Sequence, residues 1–132
     1  MDLGGCAAMR NRKIPTDKDF ARASAAMRKR SRGLSQVRDR IKQRFHCCEE
    51  FYDFFIMDCS EHSFRAYIFY RWDRQISEAD NSGLALKIIT AVYDNLEDAG
   101  RGDRKAIEVE FEFDSHENVE QNYEKDYFLR LR

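Results

Sequence analysis

Very little in this chain breaks structure or spans a membrane. Its 132 residues contain one proline, Pro15, and one tryptophan, Trp72. No stretch approaches the ~20 consecutive apolar residues of a membrane-crossing helix. The opening Met-Asp-Leu-Gly-Gly-Cys lacks the apolar stretch that precedes a lipoprotein cleavage site at a residue such as Cys6. Met9 opens a more ordinary N-terminus. Cysteine is sparse: Cys6, Cys47, Cys48 and Cys59, without a secretion signal. This pattern predicts a reducing, cytoplasmic setting with thiols serving as small apolar residues. Adjacent Cys47 and Cys48 are poorly placed to pair with each other. No glycine-rich phosphate loop, nucleophile elbow, zinc-finger or RNA-recognition motif occurs, nor any internal repeat or low-complexity tract.

The chain is rich in aromatic residues and in charge. It is 42% hydrophobic and 13% aromatic, too apolar to remain disordered. The ten Phe and six Tyr fall almost entirely after Lys42, so the core is expected there. The formal net charge of −1 hides a division. Residues 1–48 hold 13 basic and 4 acidic groups, a net of +9. Residues 49–132 hold 10 basic and 20 acidic groups, a net of −10. Such a split marks a surface that meets something charged, or two halves that neutralise each other.

Local periodicity predicts a single α+β domain over 16–132, preceded by a flexible basic arm over 1–15. Thr16 with Asp19 is a variant capping box. Phe20, Met27, Leu34, Ile41 and Cys48 recur every seven residues. Val37 and Phe45 widen this stripe between 34 and 45, with an interruption expected at Gly33. Phe51–Cys59 and Phe64–Trp72 read as the strands of a hairpin around Ser60–Ser63. Phe64, Ala66, Ile68, Tyr70 and Trp72 then share one face, and Arg65, Tyr67, Phe69 and Arg71 the other. Asp80–Gly83 marks a turn or helix entry. The four-residue steps of Leu84, Ile88, Val92 and Leu96 predict a helix of about 15 residues ended by Gly100. Ile107, Val109, Phe111 and Phe113 alternate with Glu108, Glu110, Glu112 and Asp114, a strand with one buried and one acidic, solvated face. Tyr123–Arg132 reads as a last strand or extended tail, with Arg130 and Arg132 across from Glu110 or Glu108. The expected order is α-β-β-α-β-β, with helices on one face of an antiparallel sheet.

Two charged surfaces are candidate binding sites. The basic helix, with Arg28, Lys29, Arg30, Arg32, Arg38, Arg40, Lys42 and Arg44, has the charge to line phosphates. The reading preferred for it is a solvated face partly paired with the protein's own acids, and a patch for an acidic protein partner is the third alternative. The acidic strand is the other candidate. Carboxylates two residues apart on one strand lie about 7 Å apart, near the phosphate spacing of a nucleic-acid strand. Such a row can plug a cationic active site. Glu108, Glu110, Glu112 and Asp114, extended by Glu117, Glu120 and Glu124, form this partner-binding surface, with Tyr123 or Tyr127 as an aromatic anchor. His46, Cys47 or Cys48, Cys59 and His62 are a candidate zinc set, and Cys59 with His62 or His116 a candidate nucleophile and base. The spacing of neither set is diagnostic; no metal, cofactor or catalytic residue is expected.

The run Phe111–Tyr123, followed by Asp126-Tyr127-Phe128, resembles the C-terminal part of small bacterial immunity proteins that neutralise polymorphic or contact-dependent toxins. The resemblance covers the last third by residue pattern and residues 34–132 by element order. It implies a cytoplasmic, non-enzymatic protein that binds one toxin domain, and it transfers no binding residues.

Overall fold

The computed structural model describes residues 16–18, 21–23 and 31–132. The expected arm and the positions of Phe20, Met27, Arg28, Lys29 and Arg30 lie outside them. In chain order the elements are α1 (Leu34–Phe45), β1 (Phe51–Ser60), β2 (Ser63–Tyr70), α2 (Arg74–Ser82), α3 (Leu84–Asp98), β3 (Glu108–Ser115), α4 (His116–Asn122) and α5 (Tyr127–Leu131).

Helix α1 occupies the strongest part of the predicted stripe, burying Leu34, Val37, Ile41 and Phe45. Gly33 precedes it at φ +78°, and a Cβ there would lie 3.0 Å from the Ala99 side chain. That position therefore needs glycine for both its backbone and its neighbour. Strands β1 and β2 form the antiparallel hairpin, turning at Glu61-His62. Trp72 lies beyond β2, where its N–H donates to Gln75 Oε1 (2.9 Å) at the start of α2.

β2 is the central strand of a three-stranded sheet of order β1-β2-β3. Its even residues Phe64, Ala66, Ile68 and Tyr70 face a core formed with α1, α2 and α3, while Tyr67 and Phe69 face the opposite side. This division matches the sequence expectation, as does the 15-residue helix α3. Gly83 at φ +88° separates α2 from α3.

The sheet is mixed rather than antiparallel: β3 runs parallel to β2, from Ser63↔Glu108 to Tyr70↔Ser115. The expectation failed because α2 and α3 together make a crossover. At about 1.5 Å per residue α3 is ~22 Å long, close to the ~26 Å of β2, so it returns the chain to the hairpin end. Buried Arg101 holds that end, donating to the carbonyls of Arg32 (3.0 Å) and Glu61 (2.9 Å) with its guanidinium 4.6 Å from the Phe64 ring centroid. Glu108 N–H then donates to His62 O (2.9 Å), and β3 starts beside the start of β2.

Helices also cover both faces instead of one. The expected last strand, Tyr123–Arg132, contains α5. Asp126 accepts from the N–H groups of Phe128 (2.9 Å) and Leu129 (3.4 Å), an N-cap that starts a helix. Tyr127 and Leu131 share a side in the alternation read as a strand, but being four residues apart they also share a helical face. Ser115 ends β3 in the same manner, its hydroxyl accepting from Asn118 N–H (3.0 Å). Together α4 and α5 bring Val119, Tyr123, Tyr127 and Leu131 onto Tyr67, Phe69 and Phe55.

Candidate functional site

The acidic strand is already engaged by the protein itself. Glu110 Oε1 accepts from Arg65 Nη2 (2.6 Å) and Nε (2.9 Å), directly across from it on β2. The Tyr67 hydroxyl and Glu110 hold the Arg65 guanidinium firmly charged. Glu112 pairs with Arg130 (3.1 Å) and lies 4.0 Å from Arg65. Asp114, read from sequence as solvated, is buried. Its carboxylate accepts from Arg130 Nε and from Asn118 Nδ2, which lies 3.0 Å from both oxygens. The sequence places Arg130 across from Glu110 or Glu108 on a strand. It arrives instead from α5, one helical face beside Tyr127, and reaches Glu112 and Asp114. Burial opposes the charge on Arg130, but the hydrogen bonds it donates to Asp114 and Glu112 outweigh it and raise its pKa.

The remaining nominated residues scatter. Glu108 is exposed and forms no ion pair among the described residues. Glu117 accepts from Asp73 N–H (2.9 Å), tying α4 to the start of α2. Glu120 lies 3.5 Å from His116 and 3.7 Å from Lys125. Glu124 is exposed in a left-handed turn at φ 54°. Tyr123 and Tyr127 are half-buried in the protein's own second core. The Tyr127 ring lies between Phe55 (5.7 Å) and Phe69 (4.9 Å), with its hydroxyl 2.8 Å from His116 Nδ1. Burial raises the pKa of that phenol.

The basic helix packs its apolar stripe on the core and turns its cations outward. Arg38, Arg40, Lys42 and Arg44 are all exposed. Lys42 pairs with Asp53 on β1 (3.0 Å), Arg40 is 4.0 Å from Asp98 on α3, and Arg38 meets Asp39 (3.1 Å). Arg32 pairs with Glu61 at the hairpin turn (2.7 Å). Among the described residues the cations of this segment therefore pair with Asp39, Asp53, Glu61 and Asp98 and not with the β3 row.

The nominated thiols and imidazoles do not gather into one set among the described residues. Cys47 Sγ is 3.3 Å from His46 Nε2, and Cys48 Sγ donates to Glu50 Oε1 (3.1 Å). Burial and that carboxylate push the Cys48 thiol up, while the same bond lowers Glu50. Cys59 lies at the hairpin end of the sheet and His116 at the other, so the two are not brought together. Among the described residues no group of three or more His, Cys, Asp or Glu is placed to hold a metal ion. Nor is any helix among them long and apolar enough to cross a membrane.

The site that sequence reasoning missed is apolar. Where α5 lies over the outer face of the hairpin, Phe55, Met57, Tyr127, Phe128, Leu131 and Arg132 line an open groove of about 470 Å³. Phe128 is 85% exposed, Leu129 40% and Met57 37%. The signal was present as Asp126 followed by Tyr127 and Leu131, a cap and a four-residue step. Read as a strand, the same residues hide Phe128 and Leu129 among alternating positions. Across Met57 lies Arg65, and beyond it Glu110, so the groove is rimmed by charge. Comparison with protein-family models, with curated proteins and with solved structures finds no match for this chain.

Proposed function

We propose that this chain is a non-enzymatic protein-binding module, an inhibitor of a toxin domain as its C-terminal residue pattern implies. One observation carries the reading: exposed Phe128 and Met57 line one apolar groove where α5 lies over the outer face of the sheet. Contiguous exposed apolar surface with a charged rim is the anatomy of an interface. Burying Phe128 fully contributes about 1.5–3 kcal/mol, the scale of an interface anchor. The acidic row, with Glu110, Glu112 and Asp114 paired to Arg65 or Arg130, serves this reading as part of the rim through Glu108 and Glu110. Its inner members are held by the protein itself.

The test is a pull-down from the native host with the full chain as bait, after nuclease treatment, with Phe128→Asp in parallel. The expected result is one stoichiometric protein partner that survives nuclease and is lost with F128D. Since Phe128 projects into solvent, F128D keeps the fold, checked by circular dichroism. A partner retained by F128D overturns the assignment of the surface. Association abolished by nuclease moves the function to α1. The observation favouring that second reading is the outward display of Arg38, Arg40, Lys42 and Arg44. Replacing those four by Ala then removes binding and flattens its salt dependence.

A further inference from the structure

Helix α1 runs into a turn that carries two adjacent thiols in unlike surroundings. Cys48 is half-buried and donates its S–H to Glu50 Oε1 (3.1 Å). Cys47 is exposed, and its Sγ lies 3.3 Å from Nε2 of exposed His46. The other ring nitrogen of His46, Nδ1, lies 2.6 Å from the carbonyl oxygen of Gln43. A carbonyl only accepts, so Nδ1 carries the proton. In the neutral ring Nε2 is then an acceptor, and the Cys47 S–H is the donor that faces it. The three groups form a nucleophile, a base within reach of its proton, and a partner that fixes the base.

The turn itself is held from both sides. Cys48 N–H donates to Phe45 O (3.0 Å), and Phe51 N–H donates to Cys48 O (3.2 Å). Arg71, beyond β2, donates from Nε to Glu49 O (2.8 Å) and from its N–H to Glu50 O (3.0 Å). Buried Phe45 and Phe51 pack ring to ring at 5.9 Å on either side of it. The pairing of Cys47 with His46 therefore sits on a fixed backbone, with both side chains open to solvent.

We propose that Cys47 is a modification site that forms mixed disulfides with small organic disulfides, with His46 as its base. The proton passes from Cys47 Sγ to His46 Nε2, and the thiolate attacks one sulfur of the reagent. A bond forms between Cys47 Sγ and that sulfur as the reagent's own S–S bond breaks. The departing thiolate takes the proton back from the ring. Cys47 is oxidised and the departing half is reduced, so the reagent is the only oxidant. Cys48 stays out of the reaction, because burial and the Glu50 carboxylate push its thiol up and keep the proton on sulfur. The site is separate from the apolar groove under α5, so it stands or falls independently of the protein-binding reading.

The experiment incubates the full, reduced chain with oxidised glutathione near neutral pH and follows glutathione addition at each cysteine by tandem mass spectrometry of acid-quenched samples. Cys48→Ser and Cys47→Ser, made separately, isolate the two thiols of the turn. Cys47 in C48S should react at least tenfold faster than Cys48 in C47S. His46→Gln, at an exposed position, keeps a polar group but has no ring nitrogen to take the proton. Added to C48S it should slow Cys47 at least fivefold. Added to C47S it should leave Cys48 within twofold, since that thiol does not use the ring. Circular dichroism checks that each variant is folded. Comparable rates at Cys47 and Cys48, or an unchanged Cys47 rate with H46Q, overturn the inference. A parallel slowing at Cys48 assigns the effect to a disturbed turn and overturns the role of His46.

Discussion

Replacing Arg130 by Met tests whether α5 is latched to the sheet by charge. The methionine keeps much of the apolar stem over Tyr67 and Phe69 but removes the guanidinium, which lies 5.8 and 5.9 Å from those rings. The Arg130 and Asp114 side chains are only 16% and 11% exposed, so the lost partner leaves a carboxylate largely out of water. Breaking a buried pair on one side costs about 3–5 kcal/mol. Asn118 still donates to both Asp114 oxygens, and Glu112 is 38% exposed, so its share is screened by solvent. The expected loss is therefore about 2–3 kcal/mol, lowering Tm by roughly 6–12 °C for a chain of this size. Urea denaturation of the wild type, R130M, Asp114→Asn and the double variant closes the cycle. The added Asp114→Asn change should restore about 1–2 kcal/mol, since no unpaired charge then remains. A loss below about 1 kcal/mol in R130M, or no recovery in the double variant, refutes the latch.

Tyr70→Phe should stabilise the fold by about 1 kcal/mol, because the buried Tyr70 hydroxyl has no hydrogen-bond partner among the described residues and desolvating it is costly; thermal melts showing a clear loss would sink this. Burial also raises the Tyr70 phenol pKa, so its neutral form is favoured in the fold. Its contribution is full below the ordinary phenol value of about 10 and is lost as pH rises from there toward the folded value. Y70F should accordingly lose less stability than the wild type as the pH rises from about 10 to about 11. Gly33→Ala meets both the left-handed φ of +78° and the Ala99 side chain at 3.0 Å, and should cost about 2 kcal/mol by urea denaturation; a cost below about 0.5 kcal/mol would show that α1 shifts freely against α3.

Much of the fold was legible because its signals are local. The stripe Leu34–Val37–Ile41–Phe45 and the four-residue steps from Leu84 to Leu96 each specify a helix within one window. Both faces of β2 followed from alternation, as did the apolar side of β3. The site was less legible. Glu108, Glu110, Glu112 and Asp114 do share one side of β3, but sequence spacing cannot say what lies over that side. The segment 127–131 satisfies the strand and the helix period at once, and only the Asp126 cap distinguishes them.

What the sequence alone determined is where α1, the hairpin strands, α3 and β3 lie and which of their side chains face inward, because a period of two or 3.6 residues is a property of neighbours along the chain; α2, which takes in Asp80–Ser82 where a turn or helix entry was expected, was not among them. What the tertiary structure decided is the direction of β3, the covering of the sheet's outer face by α4 and α5, and the capture of the acidic row by Arg65 and Arg130. Those depend on where the α2–α3 crossover returns the chain and on contacts between residues 16 to 45 positions apart, such as Arg130 with Asp114 and Arg65 with Glu110. The same long-range packing leaves Phe128 exposed beside Met57, and so builds the surface on which the proposed function rests.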